Sequence, residues 1–307
     1  MPLTAFENLP TLKASWLTIG IFDGVHRGHQ HIMATLTQGA HASGVPAVAI
    51  TFDPHPATIL AGVPMPRLTT PEEKHQLLTN LGVDHVIVLP FNQHIANMGA
   101  LEFITATHQR LHFSQLITGH DFALGRGREG NHTLISTIGQ TLGFSQTLLS
   151  AIEEDGSVIS STNIRNAVTT GAFGSVTTWL GRPYNLSGPV VHGDGRGRTI
   201  NIPTSNVNFP AEKVLPAPGV YACVVEVSGQ THYAVANFGF RPTFSQAAPQ
   251  PRLEAHLLDF SGDLYGQHMQ VEFIQRIRPE VKFNGVQELV TQINKDILVT
   301  RGIFSLE

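Results

Sequence analysis

Two histidines three residues apart stand in the run Phe22-Asp23-Gly24-Val25-His26-Arg27-Gly28-His29-Gln30. Imidazole N–H groups donate hydrogen bonds to phosphate, and a glycine at position 28 removes a Cβ that would keep a ligand from the backbone. Such a loop is equipped to stabilise charge on a phosphorus centre. Ile159-Ser160-Ser161-Thr162-Asn163-Ile164-Arg165 is a second polar cluster, with hydroxyls where a helix would begin and Arg165 one turn inside. Free helix amides plus a guanidinium suit a polyphosphate. Taken alone, that stretch is an ordinary helix cap with a surface arginine. Beside the histidine loop it becomes a second grip on a triphosphate. Thr51-Phe52-Asp53-Pro54-His55-Pro56 is a stiff, proline-rich loop in which Phe52 and His55 offer ring faces for a flat ligand.

The second half carries its own set. Gly193-Asp194-Gly195-Arg196-Gly197-Arg198 is a flexible loop able to wrap phosphate. Thr204 and Asn206, in Pro203-Thr204-Ser205-Asn206, supply neutral oxygens suited to Mg²⁺ that nucleotide phosphates also hold. As a lone motif it reads as a turn. Glu254 sits inside Leu253-Glu254-Ala255-His256-Leu257; facing a barrel mouth, its carboxylate would accept a hydroxyl proton.

The elements that must hold these groups change character along the chain. From Trp16 to about Gly181, strand-like and helix-like runs alternate: Trp16 to Ile21, Ala47 to Phe52, His85 to Leu89, Leu116 to Thr118 and Thr147 to Ala151 are the strands. A helix opens at Thr70-Pro71-Glu72-Glu73 and closes at Gly82. Such alternation implies an α/β domain with a parallel sheet and helices on both faces. The histidine loop, the proline-rich loop and Gly119-His120-Asp121-Phe122 all leave carboxyl ends of strands, the edge where α/β sheets bind ligands. After Arg182 come short β-rich runs punctuated by Gly and Pro, then one closing helix, which suggests an antiparallel barrel. The reading is therefore two domains, 1–181 and 182–307.

Composition excludes several classes. Charged residues are 14% of 307, the formal net charge is −4 and no Lys/Arg-rich run occurs, so nucleic acid is not an expected partner. No apolar run approaches the ~18 residues of a membrane span. The N-terminus has neither the basic segment nor the apolar core of a signal peptide. A cytoplasmic protein is expected. The one cysteine, Cys223, lies in a strand-like apolar run and reads as an inert core thiol. Gly125-Arg126-Gly127-Arg128-Glu129-Gly130 fits a dinucleotide pattern but follows no strand directly, so it carries no weight.

The His-x-Gly-His run resembles the signature of the nucleotidyltransferase superfamily. With Gly119-x-Asp121-Phe122, Gly181-Arg182-Pro183-Tyr184, Asn237-x-Gly239-x-Arg241-Pro242-Thr243-Phe244, Tyr265-Gly266, Lys282-Phe283 and the motifs above, the chain resembles the bacterial bifunctional riboflavin kinase/FAD synthetases from about Leu17 to Asp296. That resemblance implies a Rossmann-like nucleotidyltransferase domain, then a riboflavin kinase barrel with a terminal helix. It implies riboflavin, FMN and ATP as substrates, Mg²⁺ as the metal, and FMN and FAD as products. By the same likeness His26 and His29 bind the ATP phosphates. Gly20, Phe22, Gly24, Gly28 and Asp121 join that nucleotide site, and Ser161, Thr162 and Arg165 hold the outer phosphates. The stretch Phe52 to Pro56 lies beside the flavin. Gly193, Gly195, Gly197 and Arg198 bind phosphate in the kinase half, Thr204 and Asn206 hold Mg-ATP, and Glu254 is the kinase base. The chain departs from the family pattern at Ile21, at Ala123-Leu124 and at Asn201. Two other functions compete: an adenylyltransferase whose β-rich half only binds flavin, and a flavin-sensing regulator that kept the fold.

Overall fold

The apolar runs of the first half form a five-stranded parallel sheet in a computed structural model that describes residues 3–193, 197, 200, 202–241 and 250–306. By contact the chain divides into two compact units, Met1–Ser161 and Thr162–Glu307.

In the first unit the order along the chain is β1 (Ser15–Ile19), α1 (Arg27–Ala42), β2 (Ala47–Asp53), α2 (Pro56–Ala61), α3 (Pro71–Asn80), β3 (His85–Pro90), α4 (Gln93–Asn97), α5 (Ala100–Leu111), β4 (Phe113–Gly119), α6 (His132–Leu142) and β5 (Ser145–Leu149), then a small hairpin, β6 (Glu153–Glu154) and β7 (Ser157–Val158). The sheet order is β3-β2-β1-β4-β5, all parallel. Successive connections run to opposite sides of β1, so β1 and β4 flank the switch point where such sheets open a ligand crevice. Both faces are covered, which is why β2 is one continuous apolar run. Val48, Ile50 and Phe52 pack toward Phe103, Ile104 and Ile135 of α5 and α6. Ala47 and Ala49 pack toward Met33, Leu36 and Leu78 of α1 and α3. Strand geometry puts Thr51 and Asp53 on the α1/α3 side with Ala47 and Ala49. The helix from Thr70 is capped as its sequence predicts: Thr70 Oγ1 accepts from the Glu73 amide (3.2 Å), and the Glu73 carboxylate accepts from the Thr70 amide (2.9 Å).

The second unit begins within α7 (Ser161–Thr170), followed by α8 (Phe173–Leu180), β8 (Tyr184–Val191), β9 (Ser205–Val207), β10 (Gly219–Val227), β11 (Gln230–Arg241), β12 (Gln250–Leu257), β13 (His268–Arg278) and α9 (Val286–Ile303). The six strands close into a barrel, β10-β11-β12-β9-β8-β13, through antiparallel pairs. Alternate buried residues fill it, among them Leu186, Tyr221, Cys223, Phe238, Leu253, Ala255 and Phe273. Burial pushes the Cys223 thiol well above its ordinary value, in keeping with an inert core thiol.

The change of sequence character sets a division at 181/182, whereas residues 162–181 pack with the barrel. Phe173 stacks on Phe273 (ring centroids 5.1 Å apart) and meets Tyr221 edge-on (5.5 Å). Phe173, Val176 and Leu180 are all buried. Each such side chain contributes about 1.5–3 kcal/mol, and whole-domain stability is only about 5–15 kcal/mol. A fragment spanning 162–307 is therefore expected to melt well above one spanning 182–307. Equal melting temperatures would show that α7 and α8 contribute nothing to the barrel.

Candidate functional site

The first site is built on the carboxyl ends of β1 and β2. After β1 the chain turns sharply: Phe22 and Val25 take left-handed backbone angles (φ 51° and 41°), and Gly24 lies at φ 83°. This turn delivers His26 to the N-cap of α1, a place usually held by a small hydroxyl or carboxylate side chain. The His26 Nδ1 accepts from the His29 backbone amide at 3.4 Å. An Nδ1 that accepts carries no proton, so neutral His26 presents Nε2–H. His29 lies one turn on, its ring stacked on His26 at 3.6 Å between centroids and tilted by 21°. Phe22 packs edge-on against the other side of His29 at 5.3 Å. The His29 Nδ1 is sealed from solvent without a hydrogen-bond partner. Burial pushes His29 well below the ordinary imidazole value, and the charge of Lys74, like that of His26 whenever it is protonated, pushes it the same way.

The glycines serve this pair. A Cβ on Gly28 would stand 3.1 Å from the His26 ring, so Gly28 makes room for the imidazole itself. A Cβ on Gly20 would meet the Phe22 ring at 2.7 Å. Asp23 is a clamp: its carboxylate accepts from the amides of Leu68 (3.0 Å) and Thr69 (3.1 Å), and its carbonyl accepts from the Ser161 hydroxyl (2.9 Å). Ser161 thus ties the start of α7 to the histidine loop. Thr162 and Arg165 lie in the first turn of the same helix and are counted with the second unit. Asp121 is exposed in the turn after β4, and its carbonyl accepts from Arg128 (2.9 Å).

The loop after β2 corrects one expectation. Phe52 is 7% exposed and its ring packs edge-on against Phe91 (5.6 Å), within the core cluster. It offers no face to a flat ligand, because its alternation with Val48 and Ile50 turns it inward. Asp53 pairs with Arg67 (2.5 Å), the Asp53–Pro54 peptide is cis, and Pro56 opens α2. His55 caps α2 by accepting from the Ala57 amide (3.1 Å) and remains the ring of that loop that is not in the core.

Lys74 on α3 was missed by the motif reading. It is buried, and its Nζ donates to Thr51 Oγ1 (2.9 Å), the Ile21 carbonyl (3.1 Å) and the Phe52 carbonyl (3.3 Å). The signal was present: Lys74, Leu77, Leu78 and Leu81 recur at the spacing of one apolar helix face. The departure at Ile21 falls on a residue used here through its carbonyl, which any side chain leaves available. Leu124 pairs with Gly130 in an isolated antiparallel bridge and packs on the core.

The second site lines a cavity of about 410 Å³ between the outer face of the barrel and α9. Gly193, Gly197, Thr204, Asn206, Asn237 and Glu254 all line it. Asn206 and Glu254 are direct cross-strand partners on β9 and β12, and Glu254 is in turn opposite Asn237 on β11. Three polar side chains therefore form a row across three strands. They face away from Leu253 and Ala255, which fill the barrel, so Glu254 looks beneath α9 rather than into the barrel mouth. The expected turn at Ser205-Asn206 is a strand, and that registers Asn206 with Glu254. Arg252, which motif reading also missed, stands on the same face two residues before Glu254. Its Nε approaches Glu254 Oε1 and Asn206 Oδ1, each at 2.8 Å. A Cβ on Gly193 would meet the Asn206 amide at 2.2 Å, so the glycine lets the backbone press against this row. Gly195, Arg198 and Asn201 lie outside the described residues.

No group of three or more His, Cys, Asp or Glu side chains that could hold a metal occurs among the described residues. The cavity's oxygen donors include the hydroxyl of Thr204, the amide oxygens of Asn206 and Asn237 and the carboxylates of Glu254, Glu280 and Asp296, of which Asp296 is paired with Arg278. That set fits Mg²⁺, which keeps much of its shell as water and substrate phosphate.

Residues 9–163 match the family model of FAD synthetase, and residues 180–304 that of riboflavin kinase. Proteins named bifunctional riboflavin kinase/FMN adenylyltransferase are similar over nearly full length. The one from Escherichia coli (strain K12) is 40% identical over 94% of this chain and 93% of its own. That of Listeria monocytogenes is 35% identical over 94% and 92%. The chain belongs to the bifunctional riboflavin kinase/FMN adenylyltransferase family. A crystal structure described as a macrolide-efflux protein from Streptococcus pneumoniae is similar to this family member over 98% of both chains, with a TM-score of 0.90 and 29% identity. Among the described residues no helix is long and apolar enough to cross a membrane.

Proposed function

We propose that the first unit transfers AMP to FMN and the barrel phosphorylates riboflavin. The barrel reaction takes riboflavin and ATP to FMN and ADP. In the other, a phosphate oxygen of FMN attacks the α-phosphorus of a second ATP, the bond to the bridging oxygen breaks, and FAD and pyrophosphate result. The observation that carries the reading is the stacked imidazole pair at the switch point. One histidine presents Nε2–H, its neighbour has a buried, unpartnered ring nitrogen, and both stand at the amino end of α1. Donors fixed in advance where charge grows on phosphate oxygens need no reorganisation during reaction.

Gly20, Phe22, Gly24 and Gly28 shape the nucleotide loop, Asp121 stands at the neighbouring strand end, and Ser161, Thr162 and Arg165 meet the outer phosphates. His55, with the backbone of Asp53, Pro54 and Pro56, borders the flavin. In the barrel Thr204 and Asn206 would hold Mg²⁺ together with ATP, and the ion would supply neutralisation of phosphate charge. Glu254 takes the ribityl proton, and its cross-strand register with Asn206 puts base and nucleotide on one face. Both steps consume ATP, in keeping with a cytoplasmic protein.

Incubation of the pure protein with riboflavin, ATP and Mg²⁺ is expected to yield FMN and then FAD on chromatography. Absence of either product from folded protein would sink the assignment of two reactions to one chain.

A further inference from the structure

We propose that Lys74 is a positioning residue for adenylyl transfer, tying the loop after β1 to the loop after β2 and holding a positive charge behind His29. The inference rests on the assignment of His26 and His29 to that reaction. The three donors of the ammonium are directed to three oxygens, the Ile21 carbonyl from the loop after β1, and Thr51 Oγ1 and the Phe52 carbonyl from the carboxyl end of β2, where the flavin loop begins. The Thr51 hydroxyl itself donates to the Ile21 carbonyl (2.9 Å), so the link is a closed ring of hydrogen bonds. Ile21 stands one residue before the turn that aims His26. Phe52 stands one residue before Asp53-Pro54-His55. The spacing between the phosphate-binding and flavin-binding loops is thus set by one side chain from a third element, α3.

The charged surroundings fit the role. Burial pulls the ammonium down to about 8, Asp23 and Asp53 hold it up, and Arg67 pushes it down further. Lys74 therefore remains mostly charged at pH 7. Asp23 belongs to the histidine loop and Asp53 to the flavin loop, so each loop sets a carboxylate beside the same cation. The charge of Lys74 also acts on His29 of the histidine loop, disfavouring a proton on its ring. Protonating His29 would place an imidazolium against the stacked His26 ring and beside the ammonium, and its buried Nδ1 has no acceptor. The Lys74 charge thus adds to burial in keeping His29 neutral.

The sign of the pH effect follows. Burial, the largest cause of the low His29 value, stays in the variant, so removing the Lys74 charge lets His29 take a proton at a moderately higher pH that is still below the ordinary one. The acid limb of FAD formation, set by loss of neutral His29, moves to higher pH in the variant.

The experiment measures three quantities in wild type, Lys74→Gln and Lys74→Met: the His29 titration by imidazole NMR, the pH profile of FAD formation from FMN, and riboflavin phosphorylation. Loss of loop spacing is expected to cost about a hundredfold in FAD formation at pH 7.5. The His29 midpoint and the acid limb should both rise, and FMN formation should stay within about twofold because it occurs in the other unit. A purely structural lysine would lower the melting temperature and move neither midpoint. An unmoved His29 titration, or FAD formation within about threefold of wild type in a folded variant, overturns the proposal. If both lysine variants fail to fold, Thr51→Val decides: it removes one acceptor at nearly constant shape and is expected to slow FAD formation about tenfold, and a folded variant with unaltered rate overturns the proposal. His29→Ala is assayed alongside. If it too leaves FAD formation intact, the histidine assignment fails; if it abolishes FAD formation while the Lys74 variants do not, this inference alone fails.

Discussion

Replacing His29 with alanine is expected to slow FAD formation about a hundredfold and leave riboflavin phosphorylation near wild type. Attack of an FMN phosphate on the α-phosphorus of ATP brings two anions together, and charge grows on the bridging and equatorial oxygens. His29 stands one turn inside α1, against His26 at 3.6 Å, with a buried ring nitrogen that no protein group engages. A donor preorganised in this way is worth about 3 kcal/mol in the transition state, which is roughly a hundredfold in rate. Forward and reverse reactions share that transition state, so pyrophosphorolysis of FAD should fall in the same proportion. A histidine that only packed against Phe22 and His26 would behave otherwise: the melting temperature would drop and neither rate would change much. Both activities and the melting curve of this one variant separate the cases. Near-normal FAD synthesis would remove the imidazole pair from the reaction.

Glu254→Gln should produce the mirror image. A general base acts in the transition state, so its loss is expected to lower the turnover of FMN formation by about 10²–10⁴-fold, with less effect on riboflavin binding. Glutamine keeps the shape and retains an oxygen for Arg252, so the row of Asn206, Glu254 and Asn237 should survive. FAD formation from supplied FMN should persist. Equal loss of both activities in a folded variant would show that Glu254 is not confined to the kinase reaction.

Much of this was legible in the sequence because the first sheet is buried on both faces. Its strands announce themselves as unbroken apolar runs, and the loops between them hold the chemistry. Phe52 was assigned by residue type, as an aromatic beside prolines, whereas strand parity puts it with Val48 and Ile50 in the core. Lys74 was hidden for the opposite reason: lysine is read as solvent-facing, yet this one occupies an apolar-stripe position because backbone carbonyls and Thr51 wait beneath it. The strand at Ser205–Val207 could not be read locally. Three residues carry no periodicity, and only pairing with Leu253, Glu254 and Ala255, distant in sequence, makes them a strand. The helices α7 and α8 continue the strand–helix alternation of the first half. The buried partners of Phe173 in α8, Tyr221 and Phe273, come later in the chain, and no local signal reveals them.

That three-residue strand is also the narrowest stave of the barrel. It joins β12 through Val207, Asn206 and Ser205, and joins β8 through the pairs Val190–Val207 and Val191–Asn206, extended by the Asn208 amide donating to the Pro189 carbonyl (3.0 Å). The β10–β11 ladder, by contrast, runs unbroken from Gly219–Phe238 to Val227–Gln230. Protection against hydrogen exchange follows ladder length and local packing. The amides of Ser205 and Asn206 are therefore expected to trade deuterium long before those of Cys223 or Val225. The residue that would grip the nucleotide's metal thus rides on the shortest strand of the barrel among the described residues, the seam expected to open first. Catalytic grip and local weakness coincide at Asn206, so Mg-nucleotide should knit that seam shut and slow exchange there more than anywhere else in the barrel.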